Sequence, residues 1–209
     1  MGRRRSASSF VSRPEGRSVI LEPLVTSTAV VAIGEIGDKT QLLAIVLAAK
    51  FRKPAPIILG ILGATLLNHL AAATLGYYVS AWLSGQLFRI VVGVAFIVMA
   101  GWALIPDKID DELKTIGRGG IFLTTLVTFF FVEIGDKTQI ATSLLAARFH
   151  QILLVTLGTT LGMMIADVPA VLLGEAATKI VPLKYVRMAA AAVFALIGAW
   201  VLLAAFHLV

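Results

Sequence analysis

The chain has 209 residues, 58% of them hydrophobic and only 14% charged, with a mean hydropathy of +0.93. A water-soluble fold has too little polar surface for that composition, because exposed apolar patches beyond roughly a few hundred Å² drive association; the chain is expected to be an integral membrane protein. No cysteine is present, which excludes disulfides, thiolate metal sites and cysteine nucleophiles, and the net charge of +6 lies in short loops and an N-terminal tail, as beside membrane helices and not as in a nucleic-acid binder.

Residues 1–22 carry Arg3, Arg4, Arg5, Arg13 and Arg17 among serines, without the apolar run of a signal peptide, and are expected to form a disordered basic tail. A spanning helix needs about 20 apolar residues. Six stretches qualify, near Leu24–Ala49, Pro56–Leu83, Leu87–Ile105, Ile121–Ala147, Leu153–Ala176 and Tyr185–His207. The polar segment 106–120, with Asp107, Lys108, Asp110, Asp111, Glu112 and Lys114, is expected to be a linker between halves 23–105 and 121–209.

The halves repeat one another. Glu35-Ile-Gly-Asp-Lys-Thr-Gln41 recurs 98 residues later as Glu133-Ile-Gly-Asp-Lys-Thr-Gln139. The same offset aligns Leu47-Ala-Ala-Lys-Phe51 with Leu145-Ala-Ala-Arg-Phe149, Gly60 with Gly158, Gly76 with Gly174, Arg89 with Arg187, Phe96 with Phe194 and Trp102 with Trp200. Three spans per copy is an odd number, so the second copy enters the membrane from the opposite side. The expected fold is all-α and integral to the membrane, with six transmembrane helices in two inverted three-helix repeats. Lys50, Arg52, Lys53, Lys108, Lys114, Arg118, Lys179 and Lys184 follow the first, third and fifth spans, which places the central loop in the cytoplasm and both termini outside.

An ionisable group inside a span costs at least about 2.5 kcal/mol, so it demands a purpose. On a continuous helix Glu35, Asp38 and Lys39 share one face, as do Glu133, Asp136 and Lys137. Inverted symmetry is expected to bring both faces to the midplane as a chamber of four carboxylates and two ammonium groups, a net charge of −2 that suits one divalent cation. Carboxylate and amide oxygens favour hard cations such as Ca²⁺, Mg²⁺ and Mn²⁺. Gln41 and Gln139 offer amide oxygens, and Thr40 and Thr138 hydroxyls; Gly37 and Gly135 permit unwinding that frees backbone carbonyls. Lys39 and Lys137 either lock the acids in the empty state or compete with the ion. The rival reading is an architectural salt bridge within each motif, Glu35–Lys39 and Glu133–Lys137, but two identical copies with a surplus acid argue against it.

Asn68 and His69 on the second span and Asp167 on the fifth add further polar groups, and the repeat offset aligns His69 with Asp167. These three are candidates for a proton relay, histidine being the side chain that titrates nearest neutral pH. Pro169 is expected to kink the fifth span. Gly60, Gly63, Gly76, Gly158, Gly162 and Gly174 read as close helix packing, and Trp102 and Trp200 as interface anchors.

Twin Glu-x-Gly-Asp-Lys-Thr motifs in the first and fourth of six spans resemble the family of Golgi and bacterial manganese/calcium–proton antiporters, relatives of the cation/Ca²⁺ exchangers. The resemblance runs from about Leu24 to the C-terminus and lays the family's motif acids on Glu35, Asp38, Glu133 and Asp136. It implies a secondary transporter and not an enzyme, exchanging Mn²⁺ or Ca²⁺ for protons, with the cation as transported substrate and no cofactor. The short central segment, as in bacterial members, implies a plasma membrane and Mn²⁺ efflux. A divalent-cation channel would use the same acids without moving protons. A membrane-embedded metal hydrolase would need a His-x-x-x-His pattern or a serine–base pair, which the chain lacks. The expected partners are cations, protons and the bilayer.

Overall fold

A computed structural model of the chain describes residues 15–82, 85–105, 120–173 and 183–206. These form eight helices: α1 (Glu15–Glu35), α2 (Lys39–Phe51), α3 (Pro54–Trp82), α4 (Gln86–Ala103), α5 (Ile121–Glu133), α6 (Lys137–Phe149), α7 (Ile152–Leu173) and α8 (Leu183–Ala205). Four are long and apolar enough to cross a membrane: α3, α4, α7 and, over Met188–Ala205, α8. Their outer faces carry large apolar side chains such as Leu75, Leu153 and Leu196, as expected of helices bathed in hydrocarbon.

The first and fourth expected spans are each broken in two. Leu24–Ala49 is divided between α1 and α2, and Ile121–Ala147 between α5 and α6. The cause is a tight turn written into the motif. Gly37 and Gly135 take φ of 82° and 77°, Ile134 has φ −61° and ψ 121°, and the amides of Asp38 and Asp136 donate to the carbonyls of Glu35 and Glu133 at 3.0 and 3.1 Å. That is a type II turn, whose third residue must tolerate positive φ. Asp38 and Asp136 then open α2 and α6 in extended backbone, without capping them through their side chains. The glutamines close the turn instead. Gln41 Oε1 accepts the Gly37 N–H at 2.8 Å and Gln139 Oε1 the Gly135 N–H at 2.6 Å, in the manner of a capping box. The aspartates are thereby left to reach across the molecule.

The expected disordered tail over 1–22 differs in its last part, since residues 15–22 are helical; residues 1–14 lie outside the described residues, as do 106–119 of the expected linker.

The halves pack through reciprocal contacts. α1 lies on α7 as α5 lies on α3, α2 meets α7 as α6 meets α3, and α4 pairs with α8. The glycines show why these approaches are so close. A Cβ on Gly158 would meet Leu24 O and Ser27, and one on Gly60 would meet Phe122 O and Thr125, the residues 98 positions on. Backbones that touch leave no room for side chains, so small residues set the α1–α7 and α3–α5 seams. Gly93 and Gly198 do the same between α4 and α8, flanked by Phe96 and Phe194 with ring centroids 6.3 Å apart. Pro169 lies within a continuous α7.

Candidate cation site

Both helix breaks lie in the interior. Glu35 ends α1, Asp38 precedes α2, Glu133 ends α5 and Asp136 precedes α6; all four side chains are buried. Carboxylate oxygens of Glu35, Asp38 and Asp136 lie within 4.8 Å of one another. Oxygen ligands sit about 2.3–2.6 Å from Ca²⁺, so this spacing fits three oxygens around one hard cation.

The fourth motif acid is held differently. His69 Nε2 lies 3.0 Å from Glu133 Oε1, and Asn68 Nδ2 donates to Glu133 Oε2 at 3.1 Å and to Phe130 O at 3.0 Å. Glu133 therefore accepts one side-chain hydrogen bond from α3, from Asn68, and has the imidazole at ion-pair distance without hydrogen-bond alignment. Its counterpart Glu35 has none: neither of its carboxylate oxygens has a hydrogen-bond partner, nor do those of buried Asp167, which lies near enough for its charge to act on Glu35 and Glu133. The repeat-related positions His69 and Asp167 thus set opposite chemistry beside the glutamates, the imidazole 3.0 Å from Glu133 and the acid within electrostatic reach of both. Buried acceptors without partners are rare and call for a ligand or a proton. The buried Thr40 and Thr138 hydroxyls add two more.

The lysines cross between halves. Lys137 Nζ lies 3.1 Å from Asp38 Oδ1, with side chains only 6% and 1% exposed, and Lys39 Nζ lies 3.6 Å from Asp136 Oδ1, with Lys39 28% exposed. The structure thus corrects the picture of Glu35, Asp38 and Lys39 on one helical face: each lysine reaches an aspartate of the opposite half. The turn at Gly37 and Gly135 removes the i, i+4 register on which that picture rested. Gln41 and Gln139, expected to turn amide oxygens toward an ion, brace the turns, and Gln41 Nε2 also donates to Ala166 O on α7 at 3.2 Å.

Trp102 had no place in the site on sequence grounds. Its ring lies beneath Lys137 Nζ, 5.9 Å from the centroid, a cation–π contact at the end of α4. Its repeat partner Trp200 is exposed, as an interface anchor would be. A small cavity of about 10 Å³, scarcely room for one water, adjoins Gly37, Asp38 and Lys137.

The arrangement can neutralise its acids in two ways, by ammonium groups or by a bound cation. Paired charges in a dry interior stay tolerable only while the pairing holds. An ion that enters the Glu35–Asp38–Asp136 cluster must compete with Lys137 for Asp38 and with Lys39 for Asp136.

Comparison with known proteins agrees with this chemistry. Residues 23–111 and 121–208 both match the family described as divalent cation/proton antiporter GDT1. The chain is 48% identical, over 180 residues covering 86% of it and 90% of the relative, to a candidate manganese exporter of Vibrio cholerae serotype O1. It is 28% identical over 185 residues to a GDT1-like protein of Synechocystis, covering 75% of the chain and 84% of the relative. It is 26% identical over 217 residues to GDT1-like protein 5 of Arabidopsis thaliana, covering 86% and 94%. No solved structure matches the chain. With both halves matching one profile and acids gathered inside a membrane fold, the chain belongs to the GDT1 family of divalent cation/proton antiporters.

Proposed function

We propose that this protein exports Mn²⁺ from a bacterial-type cell across the plasma membrane in exchange for protons, with Ca²⁺ as the second candidate ion. The observation that carries this reading is the convergence of Glu35, Asp38 and Asp136 oxygens within 4.8 Å, at two helix breaks whose lysines neutralise the acids of the opposite half. The name of the Vibrio cholerae relative favours Mn²⁺.

In this reading α1 with α2, and α5 with α6, each make one broken span. With α3, α4, α7 and α8 they form six spans in two inverted halves, residues 23–105 and 121–209, joined by the cytoplasmic segment 106–120, with both termini outside. Discontinuous helices meeting at a central site are the recurrent device of such transporters. Deprotonated Glu35, Asp38 and Asp136 bind the cation and displace the two ammonium groups. Asp167 lends a further negative charge, and Glu133, His69 and Asn68 form the branch through which protons arrive. Protons and cation cannot both be held well by the same carboxylates, so loading one releases the other. Rocking of the halves exposes the site to each side in turn.

The test is ion flux in sealed proteoliposomes under an imposed pH gradient, following Mn²⁺ and Ca²⁺ beside a lumenal pH dye. Uphill cation accumulation with matching proton movement is expected. Glu35→Gln should slow it about tenfold or more, since one hydrogen bond to a charged group contributes roughly 1.5–3 kcal/mol. Downhill flux without proton movement would replace the antiporter by a channel.

A further inference from the structure

At the end of α6 away from Asp136, the ends of α3, α4, α6 and α8 meet around an open cavity of about 470 Å³, lined by Ser80, Arg89, Arg148, His150 and Trp200 among others. Arg89 stands in the first turn of α4 and reaches Ala204 O on α8 at 3.4 Å. Arg148 stands in the last turn of α6. His150 follows it in left-handed backbone, with φ 52°, its Nδ1 3.3 Å from Ser80 Oγ and its ring edge-on to Tyr77. The nearby acid is Glu22, whose charge acts on Arg148. Among the described residues that line this cavity and the one adjoining it, one acid stands against two guanidinium groups, a local excess of positive charge.

A second cavity of about 320 Å³ adjoins the first and shares Arg148 and Trp200 with it. Phe149, Leu196 and Ile197 give it an apolar wall beside Glu22 and Thr26, which also line it, and Leu196 is 71% exposed, so this cavity opens outward toward hydrocarbon.

We propose that the paired cavities hold one anionic phospholipid, its phosphate between Arg89 and Arg148 and an acyl chain along the groove of Phe149 and Leu196. The two halves of the site match the two halves of such a molecule. Guanidinium forks pair with phosphate oxygens in bidentate fashion, and basic pockets between membrane helices suit acidic headgroups. Trp200, which lines both cavities, supplies the kind of amphipathic ring that favours headgroup level. A free phosphate would satisfy the arginines but leave the apolar groove unfilled. The consequence is mechanical. Arg89 belongs to the first half and Arg148 to the second, so the headgroup ties the halves together.

Native mass spectrometry of the full chain from mixed micelles of phosphatidylglycerol and phosphatidylcholine tests this. The wild type should retain one phosphatidylglycerol about tenfold over phosphatidylcholine, the discrimination worth one charge-assisted contact. Arg89→Gln with Arg148→Gln should abolish the preference, while Arg52→Gln with Lys53→Gln, at another basic loop, should keep it. Equal retention of both lipids by the wild type overturns the proposal without reference to any variant, as does preference that survives in the arginine double variant. Displacement of the lipid by millimolar inorganic phosphate overturns the lipid assignment in favour of a simple anion site.

Discussion

Gly135 isolates the conformational demand of the motif from its packing. Its φ is 77°, yet nothing lies within 4 Å of where a Cβ would stand. Gly135→Ala should therefore lower stability by about 1–2 kcal/mol through left-handed strain alone, and Gly135→Asn by less, read as thermal unfolding in detergent. The crossed lysines give a second contrast. Removing one member of a buried pair leaves a charge without compensation, at a cost of about 3–5 kcal/mol, whereas exposed pairs contribute little. Lys137→Met should thus lower the melting temperature clearly more than Lys39→Met, because Lys137 is 6% exposed and Lys39 28%. The identities of these residues were legible in the sequence, since charge inside an apolar run stands out. Their partners were not. Asp38 and Lys137 are 99 residues apart, and nothing local in either motif says which aspartate a lysine will meet. Trp102 escaped notice for the same reason, as an aromatic at a helix end fits a lipid interface equally well.

The broken spans show what hydropathy can and cannot reveal. The apolar runs continue on both sides of Ile36 and Ile134, so a sliding average reads one helix where there are two. The turn is visible only in its own code, a glycine as third residue and a glutamine as third residue of the next helix, whose amide satisfies the backbone that the break exposes. The glycine seams were legible as packing, and the structure assigns Gly60, Gly63, Gly76, Gly158 and Gly162 their neighbours, while Gly174 lies outside the described residues. A Cβ on Gly76 would collide with the Ser143 carbonyl on α6, while one on Gly101 meets nothing within 4 Å. Overpacking a tight contact costs about 1–3 kcal/mol. Gly76→Ala should lose that much in a thermal melt, and Gly101→Ala should be neutral or slightly stabilising, since alanine favours helix over glycine by about 0.8–1 kcal/mol.

The molecule combines a symmetric frame with an asymmetric interior. The offset of 98 residues was enough to recognise the repeated frame, and it also exposed substitutions that break the equivalence at the site, His69 against Asp167 and Asn68 against Ala166. That the imidazole stands beside Glu133 emerges only from the fold. The crossed pairs carry a further consequence. Asp38 binds Lys137 and Asp136 binds Lys39, so position i of one half meets position j of the other and the reverse, the signature of an isologous interface between identical subunits. The two halves therefore relate to each other as protomers of a dimer that happen to share one chain, each lending an ammonium group to the other's aspartate. Cut between them and produced as separate polypeptides in one cell, residues 1–110 and 111–209 should co-purify as a stoichiometric pair, while either fragment alone should be degraded. The covalent link would then serve to fix one copy of each, which is what allows one half to keep a histidine where the other keeps an acid.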